Sequence, residues 1–407
     1  MKTNGSDVGL FLDGRSPRLL CAVTASVSAG FYRGRLAYLK QRGYDVHLVS
    51  SPGSELEELG GSEGATAHAL PMKRQVAPLA DMVSLARAWR LLWRLKPDIV
   101  DAGTPKAGLL FSLAAALAGV PCRVYSLYGV RLVTTRGLLR WTLTLTGRVA
   151  CACAHRIACI SPSLRQRAVE LRLARPDKFV VLGSGSIKGA SVERFALSPD
   201  VQQQADKLRQ ELGIEAGVPV IGFVGRLVRD KGIKELVEAW LRLRPRFPTV
   251  TLLVVGAFEE ADPVDARTRQ LIETTPEIVA AGQVADVVPY YHLMDVLASA
   301  TYREGFGEVA LEAAAAGKPV VTTDAVGAVD SVAPGVTGYI VPVGDTEALA
   351  AALGRLLENP EMARKMGEAG RQRVIADFKP ERIWREVDEL YRGLYAERVG
   401  TRASLSP

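Results

Sequence analysis

Histidine, cysteine and aromatic residues are scarce in this 407-residue chain, and each shortage narrows its function. Only four histidines occur, His47, His68, His155 and His292. None stands in a ligand-like cluster with carboxylates, which argues against a zinc hydrolase. The five cysteines, Cys21, Cys122, Cys151, Cys153 and Cys159, all lie in the first half, with an odd count and no paired spacing. That usage fits a reduced, cytosolic protein and not a disulfide scaffold. Cys151, Cys153 and His155 sit in an apolar pattern that reads as small core residues in preference to a metal site. The opening stretch MKTNGSDVGLFLDGRSPRLL lacks the apolar core and cleavage pattern of a signal peptide. The apolar segment at 108–120 is too short to cross a bilayer and has the length of a buried helix.

Acidic residues are also sparse at the front. Through Asp200 there are 27 Lys and Arg against 14 Asp and Glu, whereas the remainder carries 24 against 30. A basic first half and a mildly acidic second half imply that the first meets an anionic surface or substrate. A hydrophobic content of 48% with only 6% aromatics describes a folded, aliphatic-rich protein and excludes disorder for the whole. The length exceeds one ordinary core and predicts two domains of similar size.

The chain alternates strand and helix patterns throughout. Strands are expected at 19–24, 45–50, 65–70, from 97, and at 122–126, with helices near 31–42, 81–95 and 106–118. The Gly- and Ser-rich stretch 180–197 marks the domain boundary. Beyond it, VPVIGFVGRL supplies a fresh buried strand, a helix follows at 231–243, and further strands fall at 250–255, 278–280, 296–300 and 319–322. This order predicts two α/β domains, each with an open, mainly parallel sheet, and loops from the carboxyl ends of both sheets around one ligand. Residues 138–178 carry eight Lys and Arg in an otherwise apolar sequence with Trp141, Leu143 and Leu145. They read either as an amphipathic segment lying in a phospholipid interface or as core helix whose long side chains reach water. Nothing resembling a nucleic-acid-binding module accompanies the charge.

Two motifs point to chemistry. Gly225-Arg226-Leu227 and Lys231-Gly232 follow a strand directly, where glycine permits a tight turn and the cations suit a diphosphate near a helix start. Surface Arg and Lys are also commonplace, and the spacing is neither a dinucleotide fingerprint nor a Walker A loop. The second motif, Glu304-Gly305-Phe306-Gly307-Glu308 with Glu312, combines backbone access with carboxylates able to accept hydrogen bonds from sugar or ribose hydroxyls. A helix starting near Phe306 would place Glu308 and Glu312 on one face. Acidic residues at a helix start also favour its dipole, which accounts for one Glu but not for the whole loop.

Taken together, GFVGRLVRDKG and EGFGEVALEAAAAGKPVVTT resemble the family-4 retaining glycosyltransferases, which have a GT-B fold. The resemblance includes the paired glutamates, here Glu304 and Glu312, and extends from about Leu19 to Leu394. It implies an acceptor-side domain at 1–196, a nucleotide-sugar-binding domain at 197–378, and a terminal helix at 379–400 crossing back onto the first. It further implies that Arg226 and Lys231 bind the donor diphosphate and that Glu304 contacts the donor sugar or organises the phosphate loop. Glu312 would hold the ribose, and the amides around Gly305, Phe306 and Gly307 would complete the phosphate site, with Gly225 at the turn. Asp330 occupies an acidic family position near the donor cleft.

In the first half, SAGFYRGRLAYL, TPKAGLLFSLAAALAGVP and GVRLVTTRG resemble the subgroup acting in bacterial capsule, exopolysaccharide or lipid-linked oligosaccharide assembly. Gly30, Tyr128, Arg131 and Arg136 become acceptor-side candidates. Many relatives have histidine where Tyr128 stands, so Tyr128 is not read as a base; a hydrogen-bonding or core role fits. The activity implied is transfer of a hexose or HexNAc from an NDP-sugar, UDP favoured, to a polyprenyl-diphosphate-linked saccharide at the cytoplasmic face of the inner membrane. No cofactor is required on this reading, and Mg2+ would accompany the donor only as a counterion. A soluble small acceptor, or an inactive nucleotide-sugar-binding protein, are the alternatives.

Overall fold

The computed structural model describes residues 15–130, 135, 137–260 and 262–400. Two compact units divide the chain: residues to Lys188 together with those from Glu381, and Gly189–Pro380. In the first unit the strands are β1 (Arg18–Ala22), β2 (Asp45–Ser50), β3 (Thr66–Ala69), β4 (Ile99–Gly103), β5 (Cys122–Leu127), β6 (Arg156–Cys159) and β7 (Phe179–Val181). They form one parallel sheet in the order β3-β2-β1-β4-β5-β6-β7. Its helices are α1 (Arg35–Gln41), α2 (Ser54–Glu63), α3 (Pro78–Leu95), α4 (Pro105–Leu117), α5 (Gly137–Cys153) and α6 (Pro162–Glu170).

The second unit has helices α7 (Pro199–Glu211), α8 (Ile233–Leu243), α9 (Ala266–Thr274), α10 (Val288–Leu293), α11 (Glu308–Ala315), α12 (Ala328–Ser331), α13 (Thr346–Glu358) and α14 (Pro360–Asp377). Its strands are β8 (Val220–Val224), β9 (Thr251–Val255), β10 (Ile278–Gly282), β11 (Val296–Ser299), β12 (Val320–Thr323) and β13 (Gly338–Val341). They pair in parallel in the order β10-β9-β8-β11-β12-β13. Finally α15 (Pro380–Tyr395) packs in the first unit.

Covered on both faces, these strands are near-continuous apolar runs; all of TLLVV in β9 is buried. Because alternate side chains leave a strand on opposite faces, Leu19 and Cys21 enter one core and Leu20 and Ala22 the other. Val387, Tyr391 and Leu394 of α15 complete the first of these cores. Buried within it, Asp388 accepts hydrogen bonds from Tyr44 Oη at 2.8 Å, Arg42 Nε at 3.0 Å and Arg392 Nε at 2.9 Å. In the second unit, Ile233, Leu236, Val237, Trp240 and Leu243 recur at helical spacing and turn one side of α8 into the core.

One expected element differs. The helix read at 31–42 is a 3-10 turn over Ser26–Tyr32 followed by α1. Gly34 separates them with φ +79°, and a Cβ there would lie 2.5 Å from the Trp384 ring, so any other residue would be strained and would have to displace that ring.

Candidate nucleotide-sugar site

Each sheet reverses its strand order beside its first strand, and open α/β sheets bind ligands at the carboxyl ends flanking such a reversal. In the second unit the reversal lies between β8 and β11, which pair directly. Gly225, Arg226 and Lys231 leave the end of β8; Glu304, Gly305, Phe306 and Gly307 leave the end of β11. The two sequence motifs, far apart in the chain, therefore emerge side by side.

Specific contacts knit the two loops together. Lys231 Nζ donates to Glu304 Oε1 in a mostly buried ion pair. The Asp230 carbonyl accepts from Tyr302 N at 2.9 Å and Thr301 Oγ1 at 3.1 Å, while its carboxylate takes Arg303 Nε at 2.6 Å. Gly232, at φ +67°, passes so close to the end of β11 that a Cβ would stand 1.8 Å from the Ala300 carbonyl oxygen. That approach holds Lys231 beside Glu304. Arg226 pairs instead with Glu259 at 2.7 Å on the loop after β9, and its side chain is half exposed.

The helix α11 begins at Glu308, two residues later than expected, with Gly307 before it in the left-handed region. Phe306 is buried against Phe378, ring centroids 5.3 Å apart, so its side chain anchors the loop. Glu312, one turn into α11, accepts from Tyr291 Oη at 3.0 Å. Burial and the Glu312 carboxylate hold the Tyr291 phenol well above its ordinary range, so it remains a donor. Tyr302 donates to Glu235 at 2.8 Å and is pushed up to about 12, chiefly by burial and then by that carboxylate. Asp330 lies on α12, where its carbonyl accepts from Arg373 Nη2 at 2.8 Å. Asp230, Arg303, Glu259 and Tyr291 escaped the motif reading. Asp230 sits inside the first segment and Arg303 directly before the second, but their pairing becomes visible only once β8 and β11 are neighbours.

In the first unit, Gly30 lies in the 3-10 turn after β1, with open space over its Cα. Tyr128 follows β5, half-buried, its ring edge-on to Phe31 at 5.5 Å and its hydroxyl 3.5 Å from Tyr32 Oη. Burial raises the Tyr128 phenol, opposed by nearby Arg35, and keeps it a neutral hydrogen-bonding group. Arg131 and Arg136 lie outside the described residues. Cys151 is buried at the end of α5, where Lys178 Nζ donates to the Cys151, Ala152 and Ala154 carbonyls.

With this geometry in hand, residues 204–373 match the family "Glycosyl transferases group 1" and residues 33–185 match "Glycosyl transferase 4-like domain". The chain is 36% identical over 386 residues to the capsular polysaccharide biosynthesis glycosyltransferase CapM of Staphylococcus aureus, covering 95% of this chain and 100% of CapM. Among solved structures, HepE of Anabaena in complex with UDP superposes with a TM-score of 0.74 at 21% identity, covering 93% of this chain and 100% of HepE. Sucrose-phosphate synthase of Thermosynechococcus elongatus superposes at 0.77 with 22% identity, covering 94% and 100%. Both likenesses concern the fold.

Proposed function

From the premise that the chain belongs to the group 1 glycosyltransferases and has the GT-B fold, we propose that it moves a hexose or HexNAc from a UDP-sugar to a polyprenyl-diphosphate-linked saccharide in bacterial surface-glycan assembly. The observation that carries this reading is the convergence of the Arg226–Lys231 and Glu304–Gly307 loops at the β8/β11 reversal, joined by the Lys231–Glu304 pair. A site with two cations, free loop amides and two carboxylates suits a nucleotide diphosphate bearing a polyhydroxylated sugar.

Arg226 and Lys231 receive the diphosphate, and the amides from Gly305 to Gly307 take its remaining oxygens. Glu304 orients the sugar and Glu312, held by Tyr291, accepts from the ribose hydroxyls. As the sugar C1–O bond breaks, negative charge grows on the departing phosphate oxygen, and fixed cations there lower the barrier. The acceptor hydroxyl forms the new C–O bond on the face the phosphate leaves, and its proton passes to a phosphate oxygen, so configuration is retained. No fixed metal takes part in these steps, and Mg2+ serves only as a counterion. Capsule assembly is favoured by the near-full-length similarity to CapM. The acidic-poor first half favours a peripheral position on the cytoplasmic face of the membrane.

The test is transfer of labelled sugar from a UDP-sugar panel into defined polyprenyl-diphosphate saccharides, with Arg226→Ala and Glu304→Ala as controls and the product's anomeric configuration read by NMR. Label in a retained product, abolished by both substitutions, is expected. Transfer only to soluble acceptors would replace the lipid-linked acceptor, and UDP-sugar binding without transfer or hydrolysis would make the chain a binding protein.

A further inference from the structure

Eleven of the fourteen large apolar side chains exposed among the described residues fall between Val76 and Leu145. All but Val76, which precedes α3, lie on α3, α4 and α5, where α4 packs against both of the others. On α3, Leu79, Met82, Ala86, Trp89 and Trp93 recur at the spacing of one helix face and all are exposed, Leu79 at 82% and Trp93 at 62%. The opposite face, Ser84, Ala88 and Leu92, is buried on the sheet. On α5, Leu138, Trp141 and Leu145 form a second exposed stripe. A groove of about 440 Å³ opens at the start of α3, with Pro71, Met72 and Val83 on its wall and Lys73 and Arg87 at its edge.

Charge selects the occupant. Arg87, Arg90 and Arg94 flank the α3 stripe, and Arg140 and Arg148 lie on α5. Between Gly64 and Val169 the chain has only three acidic residues, and each is engaged internally. Asp81 pairs with Lys106 at 2.6 Å, Asp98 with Arg15 at 2.7 Å, and buried Asp101 accepts from Ser126 Oγ at 2.7 Å. A second copy meeting this face symmetrically would set like charges against each other. Anionic phospholipid satisfies both features, since tryptophans favour the headgroup boundary and arginines pair with phosphate. No described helix is long and apolar enough to cross a membrane.

We propose that α3 lies in the plane of an anionic phospholipid surface, its Leu79–Met82–Trp89–Trp93 stripe inserted at the headgroup boundary and the first turns of α5 making a second contact. This rests on the peripheral-membrane reading above and identifies the face that carries it.

The test is cosedimentation of the full chain with vesicles of phosphatidylcholine alone or with one-quarter phosphatidylglycerol, alongside Trp89→Ser/Trp93→Ser and Arg90→Glu/Arg94→Glu variants. Anionic vesicles are expected to bind about tenfold or more tighter than neutral ones, and either double variant to lose about tenfold or more. Transfer to a water-soluble short-chain acceptor should be unchanged. Quenching of wild-type tryptophan fluorescence by lipids brominated along their tails, lost in Trp89→Phe/Trp93→Phe, reads the same contact without destabilising substitutions. Wild-type binding that survives all these variants overturns the α3 assignment while leaving the peripheral reading standing. Absence of wild-type binding overturns both. Self-association that the variants abolish, with no vesicle binding, overturns the proposal in favour of a dimer face.

Discussion

Lys231 and Glu304 carry opposite charges on neighbouring loops, so removing the lysine does more than delete one cation. Lys231→Ala leaves a mostly buried carboxylate facing the position proposed for the diphosphate, adding repulsion to the lost attraction. A fall of about 10³-fold in kcat/KM, roughly 4 kcal/mol of transition-state stabilisation, is expected in steady-state transfer assays. Lys231→Ala/Glu304→Ala should bind UDP more tightly than Lys231→Ala alone by calorimetry. Equal affinities would show that the carboxylate does not face the nucleotide. Arg226, Lys231 and Glu304 stand out in the sequence as candidates because two short glycine-and-charge motifs occur together, since a surface Arg or Lys alone is commonplace. Their partners were not legible. The Lys231–Glu304 bond spans 73 positions and Arg226–Glu259 spans 33, and which loops meet depends on strand order, which no local pattern encodes.

Elements were readable where their pattern was local and unreadable where a distant residue decides their ends. The apolar runs of β8 and β9 and the face of α8 announce themselves in sequence, whereas the break before α1 falls at Gly34, whose close neighbour Trp384 comes from the far end of the chain. The turn from α5 into β6 shows the same dependence in its titration. His155 sits there with its Nδ1 accepting from Arg123 N at 3.2 Å and with Arg398 Nη2 2.9 Å from its Nε2. Burial first, then Arg123 and Arg398, lower its pKa from 6.5 to about 4. Folding therefore favours the neutral ring. The associated stability is fully present above pH 6.5 and is lost as pH falls from 6.5 towards 4, because the unfolded chain takes up the proton first. Urea melts of wild type and His155→Gln should differ by an amount that changes with pH only across that window. A constant difference from pH 7.5 to 4 would mean that the ring is not held neutral. Arg123 stands in the sequence as one more surface cation; its neighbourhood with residue 398 emerges only when α15 and the turn after it return to the first sheet.

At the scale of the whole molecule, the chain path makes the two units unequal. Gly189–Pro380 is one continuous segment with its own core around Trp240, Ile221 and Leu353, but the first unit is finished only by residues from Glu381 onward. Val387, Tyr391, Leu394 and Tyr395 are buried beside Leu19 and Cys21, Tyr391 Oη donates to Asp101, and Asp388 collects Tyr44 and Arg42. Burying four such side chains contributes roughly 6–12 kcal/mol, at about 1.5–3 kcal/mol each. That is comparable with the whole stability of a typical domain, about 5–15 kcal/mol. A chain ending after Pro380 should therefore lose the folded first unit while the second keeps its fold and, on the functional reading above, its affinity for UDP. Calorimetry should show one surviving transition, unchanged by the truncation and raised by UDP, with the other gone. If truncation abolished both transitions together, the donor unit would depend on its partner for stability, and its core would not be the self-sufficient one that its continuous segment implies.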